Sequence, residues 1–301
     1  MNIAVLGPGG VGGLLAAALE RAGEHVTVVA RESTAELIAR RGLSVSSVRF
    51  GELTTHPRAV ATLQEPVDAL LLATKAAGLR EALERIRVQP GIVLPLLNGL
   101  DHLHLLRERF EPASVVAGSI RVEADRPEPG VIVHTSPFLL VSMASSSPAM
   151  AAPLQRLAAT IDAAEVPVKV LDSEADVMWS KLVRLNALAC TTSAYDKLLG
   201  EIRSTPQLRA DLVGAMEEAA AAGRAEGAQV DAASAIAELE RAHATLGSSM
   251  QRDIAAGREP ELDAIPGSVL RAAARHGIAC PTIEKLVAMI AARAGIDPPV
   301  A

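Results

Sequence analysis

The feature that most restricts this chain is the run Gly7-Pro8-Gly9-Gly10-Val11-Gly12. It follows an apolar stretch at 2–6 and leads into an Ala/Leu-rich stretch at 11–22. A short run rich in Val, Ile and Leu reads as a buried strand, and the Ala/Leu pattern reads as a helix. Glycines spaced G-x-G-x-x-G between a strand and a helix point to special backbone geometry. Gly7 permits the tight turn, Gly9 lets a pyrophosphate approach bare backbone, and Gly12 lets helix and strand pack closely. The N–H groups and the positive dipole end at the helix start favour an anion. The pattern predicts dinucleotide binding by Gly7, Gly9, Gly10, Val11 and Gly12. The alternative is a glycine-rich turn that holds nothing.

The rest of the first half repeats the alternation. Residues 26–30, 69–73 and 92–96 read as further buried strands, so strand–helix–strand units build a parallel sheet covered on both faces. Residues 114–117, 130–134, 139–143 and 167–171 are additional strand candidates, and 153–164 reads as a helix. In an open parallel sheet, ligands bind beyond the carboxyl ends of the strands. Three such ends carry polar residues here. The second strand is followed by Arg31, where NAD-binding domains place Asp or Glu to bond a ribose hydroxyl. A guanidinium there suits a 2′-phosphate and predicts NADP preference, unless Arg31 simply pairs with Glu32 or Glu36. The third and fourth strands end at Thr74-Lys75 and Asn98-Gly99. Lys75 and Asn98 are therefore candidate cofactor or substrate residues, although Asn-Gly is also a common turn pair.

The character changes near residue 172. Beyond it the pattern is almost wholly helical, Ala-rich, and broken at Gly200, Gly227, Gly247, 257–260, Pro266-Gly267 and Gly277. Ser173-x-x-Asp176 is an acidic capping box that opens a helix over 173–189. The stretch 215–237 reads as helix rather than linker. At 100° per residue, Leu185 and Leu188 lie within about 40° of Lys181 on that first helix. Such a lysine either snorkels at the core rim or points into a cleft. The expected organisation is thus an α/β chain: a Rossmann-type parallel-sheet domain over 1–171, then an all-helical domain over 172–301. At about 150 residues per domain, 301 residues agree with two domains.

Composition narrows the classes of function. With 29 Lys+Arg against 35 Asp+Glu, the net charge of −6 argues against a broad nucleic-acid or anionic-membrane surface. No apolar run approaches the roughly 20 residues that span a bilayer. The opening MNIAVLGPGG lacks the basic leader and long apolar core of a signal peptide. Two cysteines make no disulfide framework for a chain this long, so the expected compartment is the cytoplasm. No Cys/His spacing suits a metal, and none is expected. The Ala-rich helices bury their faces either within the chain or in a homodimer. The tail at 297–301 reads as a frayed terminus.

Four segments together resemble the ketopantoate reductase (2-dehydropantoate 2-reductase) family over essentially the whole length. They are NIAVLGPGGVGG with Arg31 after the second strand, the strand ends LLATKA and LPLLNG, the stretch DVMWSKLVRLNALACTTSA, and SSMQRDI…EPELDAIPG. The resemblance implies a Rossmann domain and a helical domain with the active site in the cleft between them. It implies reduction of a 2-oxo acid by NADPH, as in the pantothenate branch of coenzyme A biosynthesis. By motif, Lys181 corresponds to the catalytic lysine and proton donor, Glu261 to its acidic partner, and Ser249 to a substrate-binding serine. Asn98 corresponds to the asparagine of the Asn-Gly motif, Lys75 to the lysine after the strand, and Arg31 to the 2′-phosphate ligand. The family's two asparagines, four and eight residues after the lysine, are replaced here by Leu185 and Ala189. Asn186 lies about 140° from Lys181 and cannot substitute. A less polar pocket follows, which leaves open a different 2-oxo acid, or a non-catalytic NADP-binding sensor.

Overall fold

The computed structural model describes residues 1–299; Val300 and Ala301, at the end of the tail, lie outside the described residues. The chain divides into two compact units: Met1–Leu97 with His102–Val177, and Asn98–Asp101 with the chain from Met178 onward.

The first unit is built on a five-stranded parallel sheet. Its strands are β1 (Asn2–Leu6), β2 (His25–Val29), β5 (Arg58–Val60), β6 (Ala69–Leu72) and β7 (Ile92–Pro95), in the order β5-β2-β1-β6-β7. Helices α1 (Gly10–Arg21) and α2 (Glu32–Arg41) follow β1 and β2. Successive strand residues face opposite ways. Ile3 and Val5 enter one core with Leu14, Leu15 and Leu19 of α1. Ala4, Leu6, Leu70 and Leu72 enter another, with Leu79 and Leu83 of α3 (Leu79–Leu83) and Leu106 of α4 (His102–Arg109). Burial on both faces explains why β1, β2, β6 and β7 read as mainly apolar runs.

Two smaller sheets were anticipated in part, by the strands expected at 130–134, 139–143 and 167–171. One joins β3 (Leu43–Ser47) and β4 (Gly51–Thr55) with β9 (Ala124–Glu128) and β10 (Val131–His134), in the order β4-β3-β10-β9. The other joins β8 (Ala117–Arg121), β11 (Leu140–Ala144) and β12 (Val168–Val170). β3, β4, β5 and β9 carry Ser, Thr, Arg, Asp and Glu, so no apolar run marked them. The strand expected at 114–117 is displaced. Pro112–Ser114 forms a 3₁₀ turn, Val115 makes only a single bridge to Val93, and the strand starts at Ala117. Helix α5 (Ala151–Ala163) packs Leu154, Leu157 and Ile161 into the first core.

The second unit is helical. α6 (Glu174–Tyr195) starts where the Ser173 hydroxyl accepts from the Asp176 N–H at 3.1 Å, the predicted cap, and runs a turn and a half beyond 189. The other helices are α7 (Leu199–Ser204), α8 (Pro206–Ala225), α9 (Ala232–Arg241), α10 (Ser249–Ala255), α11 (Ser268–Arg275) and α12 (Pro281–Ala294). The stretch 215–237 is helical on either side of the break expected at Gly227. Gly227 takes φ +89° at the break, and Asp231 caps α9 by accepting from Ala233 and Ser234 N–H. Pro266-Gly267 is no break. Asp263–Gly267 forms a π turn that runs straight into α11. Ile265 N–H still reaches Glu261 four residues back, but Pro266 has no N–H, and Gly267 N–H reaches five back to Leu262.

Candidate active site

In the first unit, strand order reverses at β1, between β2 on one side and β6 on the other. The glycine turn leaves β1 at this switch point, where open α/β sheets bind ligands. Each glycine has a separate reason. Gly7 has φ +91°, and a Cβ there would lie 2.8 Å from Thr74 Cγ2. A Cβ on Gly12 would lie 2.2 Å from the Gly7 carbonyl oxygen, and one on Gly10 would lie 2.3 Å from the Ala124 oxygen. These three are demanded by packing. Gly9 is different: a Cβ there would find its nearest neighbour, the Ala73 oxygen, at 4.0 Å. Gly9 is also the N-cap of α1, with no side-chain cap. Nothing among the described residues requires glycine at that position.

Thr74, directly beyond β6, was not singled out by the pattern. Its buried hydroxyl oxygen has no hydrogen-bond partner among the described residues, and its methyl lies against the Gly7 turn. An unpaired buried hydroxyl is costly, so it is poised to meet an incoming polar group. Open backbone at Gly9, the helix start, and this orphaned hydroxyl together fit the pyrophosphate of a dinucleotide. Lys75 follows, exposed, at the start of a 3₁₀ turn. Arg31 caps the backbone of α2 and pairs with Glu81 at 3.1 Å, rather than with Glu32 or Glu36. Both partners are more than half exposed, so the pair is weak and easily exchanged for a phosphate.

In the second unit, three predicted residues meet. Lys181, half-buried on α6, donates from Nζ to Asn98 Oδ1 at 2.8 Å. Asn98 Nδ2 donates to Glu261 Oε2, also at 2.8 Å. The amide thus stands between ammonium and carboxylate, its oxygen toward the cation and its nitrogen toward the anion. Glu261 engages the amide of Asn98. Lys181 lies at the rim of the core, on a helix whose Leu182, Val183, Asn186, Ala187 and Ala189 are buried. Ser249 is exposed at the first position of α10. The neighbouring Ser248 is structural; it is buried, caps α10 through the Gln251 N–H, and accepts from the Thr192 hydroxyl at 2.8 Å. Among the described residues, no three His, Cys, Asp or Glu side chains gather as a metal site. No helix among them is long and apolar enough to cross a membrane.

A Rossmann-type sheet joined to a helical unit that carries a lysine–amide–carboxylate row is an arrangement suited to an oxidoreductase. Comparison with known proteins gives the family. The model of "Ketopantoate reductase PanE/ApbA" matches residues 3–142, and that of its C-terminal part matches 175–294. The 2-dehydropantoate 2-reductase of Mycobacterium tuberculosis (strain H37Rv) is 31% identical over 304 positions, covering 97% of each chain. A PanE/ApbA family ketopantoate reductase from Ralstonia eutropha JMP134 superposes with a TM-score of 0.85 at 25% identity, over 98% of this chain and 99% of that one. D-mandelate dehydrogenase, solved with NADH and anilino(oxo)acetate, shares the fold with a TM-score of 0.89 at 21% identity, over 98% and 99% of the two chains. The chain belongs to the ketopantoate reductase family and is an oxidoreductase, so the non-catalytic reading falls away.

Proposed function

We propose that this enzyme reduces a 2-oxo acid to the 2-hydroxy acid with NADPH, ketopantoate being the leading substrate and pantothenate synthesis the setting. The row Lys181–Asn98–Glu261 carries the reading, with both hydrogen bonds at 2.8 Å. When bound, the reduced nicotinamide supplies the hydride. Gly7, Gly9, Gly10, Val11 and Gly12 hold the pyrophosphate, with Lys75 and Asn98 as further cofactor contacts. Arg31 takes a 2′-phosphate, which favours NADPH over NADH.

The chain's own residues do the rest. Charge grows on the substrate's carbonyl oxygen as its carbon is reduced, and a fixed donor there lowers the barrier. The Lys181 ammonium is that donor, and it then surrenders the proton as general acid. Asn98 holds the ammonium by its amide oxygen. Glu261 polarises the same amide and offers a carboxylate to a substrate hydroxyl. Hydrogen bonds in such a row strengthen one another where water is scarce. Ser249 and Asn98 position the substrate. The enzyme is proposed to act in the cytoplasm.

NADPH oxidation, followed by absorbance with ketopantoate and a panel of 2-oxo acids and with NADH in parallel, tests this. Lys181→Ala is expected to lower kcat by about 10²–10⁴, the usual worth of general acid catalysis. Unchanged turnover in that variant would overturn the mechanism.

A second reading keeps the chemistry and changes the acid. Leu185 and Ala189 stand where the family pattern has asparagines, and Ala189 is fully buried. Ala189 therefore offers no contact surface, and the partly exposed Leu185 alone presents an apolar face there, which suits a bulkier, more apolar 2-oxo acid. Leu185→Asn is then expected to raise kcat/KM for ketopantoate relative to its apolar competitor. An unmoved ratio argues against it.

A further inference from the structure

Asn98 works only if it stays between Lys181 and Glu261, so something must hold its backbone. Asn98–Asp101 is a four-residue loop grouped with the helical unit. It lies directly on the π turn that follows Glu261. Gly99 takes φ +84°, and a Cβ there would stand 2.0 Å from the Ala264 oxygen. Contact alone does not fasten the loop. The fastening comes from α11.

We propose that Arg271 is a positioning residue that clamps the Asn98–Asp101 loop onto the Glu261-bearing turn and so keeps Asn98 in register with Lys181. The inference rests on the catalytic reading of that row given above. Arg271 Nη2 donates to Asp101 Oδ2 at 2.6 Å and to the Asp263 carbonyl at 3.0 Å. Its Nη1 donates to Asp263 Oδ1 at 2.7 Å. One planar guanidinium therefore ties the end of the loop to both the side chain and the backbone of the turn. An ammonium is a compact point charge and lacks the fork that spans two carboxylates.

The turn itself is shaped for this. Pro266 lacks an N–H, which shifts the register from Ile265→Glu261 to Gly267→Leu262. π turns of this kind are frequent at functional sites. The shift lies immediately after Glu261, so one segment supplies the carboxylate that faces Asn98 and the two acceptors that face Arg271. The carboxylates of Asp101 and Asp263 are 51% and 75% exposed. Ion pairs that exposed add little to global stability. Loss of the clamp should therefore appear as loss of placement rather than as unfolding.

The test uses the full-length enzyme and four variants: Arg271→Met, Arg271→Lys, Asn98→Ala, and Arg271→Met combined with Asn98→Ala. Turnover is read with NADPH and the panel acid that the wild type reduces fastest. Amide hydrogen exchange of segment 98–101 is read without any ligand. Arg271→Met is expected to lower kcat about tenfold or more, as sub-ångström misplacement of a reacting group does. Exchange in 98–101 should quicken about tenfold while the urea midpoint holds. Arg271→Lys should not rescue either readout. In the Asn98→Ala background, removing Arg271 should cost no further turnover, because its effect runs through Asn98. Wild-type kcat with wild-type exchange in Arg271→Met would overturn the proposal, as would a fully additive loss in the double variant. Should Arg271→Met fail to fold, Asp101→Asn and Asp263→Asn carry the same expectations. If Lys181→Ala leaves turnover intact, the catalytic reading fails while exchange still judges the clamp. If Lys181→Ala abolishes turnover and Arg271→Met does not slow it, the clamp alone fails.

Discussion

Replacing Gly9 by alanine should separate ligand binding from folding. Gly9 has φ −76° and ψ −165°, a conformation alanine adopts without strain. The added Cβ meets nothing nearer than 4.0 Å. Two effects on stability oppose each other. Alanine restricts the unfolded chain, which stabilises by about 0.4–1 kcal/mol. At an N-cap, alanine is a poorer residue than glycine by a similar amount. The net change should lie within about 0.5 kcal/mol, the range of an uneventful substitution. Binding should respond differently, because the methyl occupies the face that a pyrophosphate approaches. A tenfold rise in the Kd for NADPH corresponds to about 1.4 kcal/mol, and at least that is expected. Gly12→Ala is the contrasting variant. Its Cβ would sit 2.2 Å from the Gly7 oxygen, so backbone must move. Overpacking of that kind costs about 1–3 kcal/mol, and this variant should lose stability as well as binding. Urea denaturation without cofactor and fluorescence titration with NADPH measure the two quantities. Wild-type affinity in Gly9→Ala would refute the assignment of this turn to the pyrophosphate. A stability loss of several kcal/mol would refute the open geometry.

Other outcomes follow from named groups. Arg31→Ala should raise KM for NADPH at least about tenfold and leave NADH nearly unchanged, since charge-assisted contacts to a 2′-phosphate are lost only with the former; equal effects on both would argue against a role in selectivity. The buried His134 shares a hydrogen bond with the Ser47 hydroxyl, 2.8 Å from its Nδ1, and burial, then the charge of Arg49, hold it below the ordinary histidine range against a smaller opposing bond at Ser136. The unfolded chain then binds the proton first, so stability should fall as pH drops below about 6.5 and level off above it. Urea midpoints across that window should show this slope, and His134→Gln should flatten it. Burial pushes the Cys190 thiol up strongly and lifts Cys280 to about 11. Iodoacetamide should modify neither in the native enzyme and both after unfolding; rapid native labelling would contradict the buried placement.

Much of the fold was legible because the signals are local. The glycine run, the apolar strands β1, β2, β6 and β7, and the Ser173 cap each depend on a few adjacent residues. Polar edge strands such as β4 and β9 gave no signal, since pairing with neighbours, not their own apolarity, makes them strands. Pro266 looked like a helix breaker. Tertiary packing instead absorbed its missing N–H in a π turn. Thr74 was indistinguishable from any polar residue after a strand until its hydroxyl proved buried and unpartnered.

The candidate site divides along the same line. Sequence by itself set the chemistry available: a glycine turn at a helix start, a lysine on a leucine-lined helix face, and a carboxylate directly after Pro260. It did not set which of these meet. Lys181 and Asn98 are 83 residues apart, and Asn98 and Glu261 are 163 apart. Backbone preference acts over a turn or two of chain, whereas such pairings are fixed by the packing of whole elements, which only the tertiary structure decides.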